Sequence, residues 1–207
     1  MAIGRRPDVS RLLGKDISLD MKDGKIAVDS DFETSEPGVY AIGDVAARTQ
    51  LAHVAAAQGT YVVEKIAGRP HSIKLEVVPN GMFVSLPIVP NCIYTDPEIA
   101  TVGITEEIAK KYGLKVRCGH FSMRDNGKSI ITGEEHGFIR LLFEAYSNTI
   151  VGAQMMCPRA TDMIGEIATA IANGLTAQEM SFAMRAQPTY NEGIGAAIED
   201  AMRQNPV

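Results

Sequence analysis

An α+β fold is what this sequence predicts, a domain of mixed β strands and helices preceded by a shorter segment that reads as part of an α/β layer. Three observations lead there. Hydrophobic residues make up 45% and charged residues 22% of the 207, ordinary values for a globular chain of one large or two small domains. Two C-terminal segments carry apolar residues at i, i+3, i+4, i+7, the spacing of a helix with one buried face. Between these and the N-terminus lie short β-branched runs bounded by Gly, Pro, Asn and Asp, which read as strands and turns.

Taken in order, Ile26 to Val28 follows the turn signal Asp23-Gly24 and predicts a short strand. Val39 to Ile42, bounded by Pro37-Gly38 and Gly43-Asp44, is a continuous apolar run and predicts a strand buried on both faces. A helix is expected over Leu51 to Ala67, with Val62, Val63 and Ile66 on its inner side and Gly68 as its stop. Lys74 to Pro90, with Pro79, Pro87 and Pro90, reads as a linker, and a domain boundary is placed near residue 85. The expected division is 1–84 and 85–207. A strand closes at Thr101-Val102-Gly103. Thr105 then caps a helix with Glu106 and Glu107 in its first turn and Lys110 and Lys111 in its last. Strands follow over Lys115–Phe121, Gly137–Phe143 and Thr149–Met155, the last two joined by a turn at Ser147-Asn148. Ile164, Ile167, Ala168 and Ile171 make one helical stripe, and Ile194, Ala197, Ile198 and Ala201 another. Thr176 with Glu179 forms a capping box that opens a short helix between them.

Composition closes off several classes of function. Twenty Lys and Arg against 25 Asp and Glu leave a formal charge of −5, with no global attraction for nucleic acid or an anionic membrane. No apolar run reaches the length of a membrane span, and MAIGRRPD has no signal-peptide core. Cys92, Cys118 and Cys157 are widely spaced, which suits a reducing, cytoplasmic compartment. His120, His136 and Cys118 lack metal-ligand spacing, so no metal is expected. The sequence contains no GxGxxG and no Walker loop, and Gly127-Lys128 lacks a phosphate-loop frame.

The most specific local pattern is Thr34-x-x-x-x-Val39-Tyr40-Ala41-Ile42-Gly43-Asp44. A strand that ends in Gly-Asp places a carboxylate at the carboxyl edge where open α/β sheets bind ligands. The same dipeptide also makes ordinary turns. With Leu51-Ala52-His53-x-Ala55 and Gly59 behind it, the run resembles the second FAD-binding motif of the pyridine nucleotide–disulfide oxidoreductases, the flavoenzymes related to dihydrolipoamide dehydrogenase and glutathione reductase. Gly4-Arg5-Arg6-Pro7 resembles the G-R-x-P that closes the family's NAD(P) domain. Tyr94-Thr95-Asp96-Pro97-Glu98, continuing to Val102-Gly103, resembles the entrance to its C-terminal interface domain.

The resemblance implies a partial FAD-binding segment followed by a dimerisation domain. Gly43 and Asp44 would then lie at the FAD ribityl chain, and Leu51, Ala52 and His53 would bring the N-terminal turn of a helix near the flavin. Free N–H groups at that turn suit electron-rich ring atoms, although His53 and the apolar Val54–Ala57 are equally consistent with plain packing. Ala186-Gln187-Pro188-Thr189-Tyr190-Asn191-Glu192 aligns with the family's H-P-T-x-x-E, whose histidine and glutamate form the acid–base dyad of the dithiol-using members. Gln187 and Glu192 thus hold the catalytic positions. An amide does not titrate and cannot replace histidine as an acid or base, while Glu192 can equally cap a helix. Tyr190 is a candidate polar contact beside them.

The expected function is the C-terminal segment of an FAD-dependent NAD(P)H oxidoreductase, which completes the FAD site and pairs two subunits into a homodimer. The whole enzyme would be dihydrolipoamide dehydrogenase-like and pass electrons to a small-molecule acceptor, although Gln187 in the histidine position puts lipoamide or glutathione reduction in doubt. The alternatives are a non-thiol branch, transhydrogenase-like or mercuric-reductase-like, and a purely structural dimerisation module. The first FAD motif, the redox cysteine pair and the NAD(P) glycine motif belong to an upstream part, so FAD and NAD(P) are expected in the whole enzyme and neither on this chain. It would be inert alone, with Met1 an artificial or truncated start. The stripes at 164–171 and 194–201 are expected to feed the dimer interface.

Overall fold

The computed structural model describes residues 4, 6–14, 17–47, 49–77 and 86–204. The chain divides into two units, Met1–Leu75 and Glu76–Val207. The boundary expected near residue 85 falls outside the described residues.

In the first unit β1 (Met21–Lys22) and β2 (Lys25–Ile26) pair antiparallel around the Asp23-Gly24 turn. Leu19, Ile26 and Ala41 are its buried apolar centre. The apolar run at 39–42 is not a strand buried on both sides. Among the described residues it pairs on one side only, through the bridge between Glu33 and Tyr40 and the Ala41 N–H to the Phe32 carbonyl at 3.0 Å. Val39 is left exposed. A single turn of 3-10 helix follows at Gly43–Val45, then α1 (Ala52–Ile66). Val54, Gln58 and Val62 form the inner face of α1, whereas Val63 and Ile66 are each about two-thirds exposed. The inner stripe is therefore i, i+4, i+8, with a polar Gln58 inside it.

The second unit opens with β3 (Glu76–Val77) and β4 (Leu86–Pro87), paired antiparallel in what the sequence suggested was linker. Its centre is a five-stranded antiparallel sheet of β5 (Asn91–Ile93), β6 (Ile99–Gly103), β7 (Val116–Ser122), β8 (Phe138–Glu144) and β9 (Ile150–Met156). The spatial order is β5-β6-β9-β8-β7. The three predicted central strands are present, each displaced by one residue. Side chains alternate between faces with the period-2 rule of a strand. Ala100, Val102, Ile139, Leu141, Phe143, Ala153 and Met155 therefore enter one core, and Leu142 and Val151 another.

Thr105 caps α2 (Glu106–Lys111) through the Ile108 N–H at 3.2 Å. This helix, with Leu86 and Ile104, covers the Leu142 side of the sheet. The larger face takes α4 (Ala160–Ala172) over β6 and β9, and α6 (Glu192–Arg203) over β7 and β8. Helix α5 (Ala177–Ser181) carries the predicted capping box and packs on α6. Gly119 of β7 permits the close seat of α6, because a Cβ there would stand 1.9 Å from the Ala197 carbonyl oxygen.

The two helical stripes are consumed inside this unit. Ile164, Ile167, Ile171, Ile194, Ala197, Ile198 and Ala201 are each at most 2% exposed, so they are not available to a second subunit. Their number suggested surplus surface only because the sheet face they cover was not yet in view. The sequence reading also lacked α3 (Gly127–Thr132), a one-and-a-half-turn helix between β7 and β8.

Candidate functional site

Around Gly43 the local sequence dictates a tight approach. Gly43 has φ +67°, and a Cβ there would meet the Ala55 Cβ at 2.9 Å, so a side chain is unwelcome on both counts. Its N–H donates to Oε1 of the buried Gln58 at 2.8 Å. Gln58, unmarked in the sequence reading, thereby ties the 3-10 turn to the second turn of α1. The next residue, Asp44, is exposed. Helix α1 begins after Leu51 with no side-chain cap and no acidic residue in its first turn. The positive end of the helix dipole therefore lies at this first turn, with no carboxylate of its own to offset it. Ala52 and His53 are exposed there and Leu51 is half-buried. A carboxylate next to an uncapped helix start, both open to solvent, matches a ligand that has hydroxyls on one part and electron-rich atoms on another.

The second candidate lies on the loop between α5 and α6. Gln187 is at its exposed tip, and its side-chain amide makes no hydrogen bond among the described residues. Glu192 opens α6, and its Oε2 accepts the Thr189 N–H at 2.8 Å. The structure therefore sets the two dyad positions on one turn but engages Glu192 with backbone, not with Gln187. The Thr189 hydroxyl donates to the Ala186 carbonyl at 2.6 Å, which closes the turn around Gln187.

Two residues outside the loop, Glu166 and Asn126, hold it in place. Arg185, with only 9% of its side chain exposed, donates through Nη2 to Glu166 Oε1 at 2.5 Å. Asn191 Nδ2 donates to the other oxygen, Glu166 Oε2, at 2.7 Å. From α3, Asn126 Nδ2 donates to the Thr189 carbonyl at 3.0 Å. Such contacts span tens of residues and leave no periodic mark in a sequence. Asn126 alone carried a local signal, as an N-cap residue three before Ser129.

Tyr190 donates its hydroxyl proton to Glu134 and lies 2.9 Å from Thr132 Oγ1. Burial and that bond to Glu134 raise the phenol above its ordinary value, so it remains protonated at neutral pH and is no ready base. Burial pushes Cys157 up to about 12 and Cys118 up to about 11. Neither is a thiolate at neutral pH, and neither has the activated environment of a redox thiol. Among the described residues no group of His, Cys, Asp and Glu is arranged to hold a metal ion. No helix among them is long and apolar enough to cross a membrane.

Comparison with known proteins gives matches over both parts of the chain. Residues 89–198 match the family described as pyridine nucleotide-disulphide oxidoreductase, dimerisation domain. Residues 1–59 match pyridine nucleotide-disulphide oxidoreductase. The dihydrolipoyl dehydrogenase of Geobacillus stearothermophilus is 34% identical over 203 residues, which is 98% of this chain and 41% of that one. One from Bacillus subtilis is 35% identical over 198 residues, 95% of this chain and 40% of that one. Among solved structures, LpdA from Mycobacterium tuberculosis superposes with a TM-score of 0.84 at 26% identity, covering 98% of this chain and 42% of that one. The flavoprotein disulfide reductase RclA from Escherichia coli shares the fold, with a TM-score of 0.83 at 17% identity over 99% of this chain and 44% of its own. The chain thus spans about two fifths of the length of these relatives.

Proposed function

Because this chain belongs to the pyridine nucleotide-disulphide oxidoreductase family, we propose that it is the C-terminal part of an FAD-dependent NAD(P)H oxidoreductase whose electron acceptor is not a disulfide. Its work there is to complete the flavin site from residues 43–53 and to pair two subunits through residues 85–207. A cytoplasmic setting suits the reduced, buried thiols.

The flavin, when bound, supplies the two-electron chemistry between the nicotinamide and the acceptor. Asp44 would accept hydrogen bonds from hydroxyls of the cofactor. The positive end of α1, at Leu51, Ala52 and His53, would favour its electron-rich atoms, and Gly43, which has no side chain, would leave room for the ligand beside the backbone.

The observation that carries the choice of acceptor is the pair Gln187 and Glu192. Reduction of a disulfide needs a group that delivers a proton to the leaving thiolate. Gln187 is an amide and does not titrate, and Glu192 is engaged by the Thr189 N–H. A quinone, a dye or a second nicotinamide takes electrons without that help. With the two helical stripes buried, pairing falls to the apolar side chains left outside. Phe182 and Met184 lie beside the Gln187 turn at 71% and 100% exposure, and Ile130 and Ile131 stand out from α3.

Steady-state turnover of the flavoenzyme that contains this chain tests the acceptor. Quinones and dyes should turn over well, and lipoamide or glutathione disulfide about 10²–10⁴-fold less well, the usual loss without general acid–base help. Efficient lipoamide turnover at neutral pH refutes the proposal. Sedimentation of the 207-residue chain tests pairing, with a dimer expected and a strict monomer at tens of micromolar contradicting it.

A further inference from the structure

The Gln187 turn is fixed by a residue far from it in sequence. Asn126 is 2% exposed, and both ends of its amide are in use. Oδ1 accepts the Ser129 N–H at 2.9 Å and so caps α3, while Nδ2 donates to the Thr189 carbonyl at 3.0 Å. The other polar groups of Thr189 are also bound, its N–H by Glu192 and its hydroxyl to the Ala186 carbonyl. Three hydrogen bonds therefore converge on the residue two places after Gln187. The far end of α3 joins the same loop a second time, through Thr132 Oγ1 and the Tyr190 hydroxyl.

We propose that Asn126 is a positioning residue: α3 acts as a strut whose N-cap amide sets the Thr189 peptide, and through it the place of Gln187 and Glu192. Significance for electron transfer rests on the reading of this turn as the acceptor-side site, but the geometric claim stands apart from it. The residue type follows from the two tasks. An ionised aspartate offers acceptors only and caps α3 without donating to Thr189, and a serine caps α3 but is too short to span the gap. The asparagine amide accepts at Oδ1, donates at Nδ2 and has the length for both.

Amide hydrogen exchange of the 207-residue chain, resolved by NMR, separates positioning from stability. In N126D at pH 7 the Thr189 N–H should lose at least tenfold in protection. The Ser129 N–H, still capped by a carboxylate oxygen, and the sheet amides of Leu141 and Ala153 should keep theirs. Should N126D fail to fold, N126S loses the reach to Thr189 while keeping a cap, and should show the same selective loss. Unchanged protection at Thr189, or a loss shared equally with Leu141 and Ala153, overturns the proposal. The acceptor assay can fail without touching this result, and the exchange result can fail without touching the acceptor.

Discussion

Removing the Glu166 carboxylate should loosen the loop that carries Gln187 by an amount the geometry allows to be worked out. Glu166 accepts two hydrogen bonds, from Arg185 Nη2 at 2.5 Å and from Asn191 Nδ2 at 2.7 Å. Arg185 is 9% exposed, its Nε already lacks a partner, and its remaining bond is from Nη1 to the Ala183 carbonyl at 3.2 Å. Hydrogen bonds to a charged group contribute roughly 1.5–3 kcal/mol each. Breaking a buried pair from one side costs about 3–5 kcal/mol, because a charge is left unpaired. Glu166 is 32% exposed, so water reaches the vacated place and the lower end applies, about 3 kcal/mol for Glu166→Ala. Glu166→Gln should lose about half of that. Both partners are donors, and an amide offers only one acceptor end. With a urea dependence of about 2 kcal/mol/M for a chain of this size, Glu166→Ala should lower the unfolding midpoint by about 1.5 M. A double-mutant cycle with Arg185→Met should return a coupling of at least about 1 kcal/mol. A midpoint within about 0.2 M of wild type, or strictly additive substitutions, would refute the clamp.

The hairpin between β8 and β9 gives an acid limb to stability. Burial alone would raise the Glu144 carboxyl, but the N–H groups of Ser147 at 2.6 Å and Tyr146 at 3.0 Å outweigh it and hold it below the usual carboxylate range. A depressed native value contributes stability that is complete above about pH 5 and is lost as pH falls through the folded value. Glu144→Gln should therefore destabilise the chain at pH 7 by an amount that shrinks as pH falls through the folded value; a gap that stays constant or widens on acidification would contradict the linkage. The half-buried Cys118 and the buried Cys157 give a chemical test. With Cys118 at about 11 and Cys157 at about 12, a disulfide reagent at pH 7.5 should label both only slowly until urea unfolds the chain, and a fast native burst at either would be inconsistent with the fold.

The elements that depend on local pattern were legible in the sequence. The stripes of α4 and α6, the Thr105 cap and the Thr176–Glu179 box each come from residues within one or two turns of each other, and the central strands lie within a residue of their expected places. What was not legible depends on partners distant in sequence. Val39 to Ile42 reads as a doubly buried strand because it is apolar throughout, yet burial on both sides needs neighbours that the described residues supply on one side only. Helix α3 was missed because Gly127, Ile130, Ile131 and Thr132 are poor helix formers; its Asn126 cap and its Thr132 contact to Tyr190 compensate. At the two candidate sites, the motif positions Gly43 and Asp44 in the first unit and Gln187 and Glu192 in the second could be found from sequence, whereas the holding contacts of Gln58, and of Glu166 and Asn126, could not.

The way the sheet is assembled bears on the order in which the molecule becomes competent. Strands β7, β8 and β9 follow one another along the chain and pair as neighbours, and α4 comes directly after β9. These are short closures that cost little chain entropy. Helix α6, by contrast, returns from far downstream to seal β7 at Gly119. Long-range contacts of that kind close late and slow a folding reaction. The Gln187 turn lies immediately ahead of α6 and hangs from it by Glu192, so it is expected to acquire its shape in the closing stage of folding. Damage to α6 would then be felt first at the Gln187 turn, before the sheet itself comes apart.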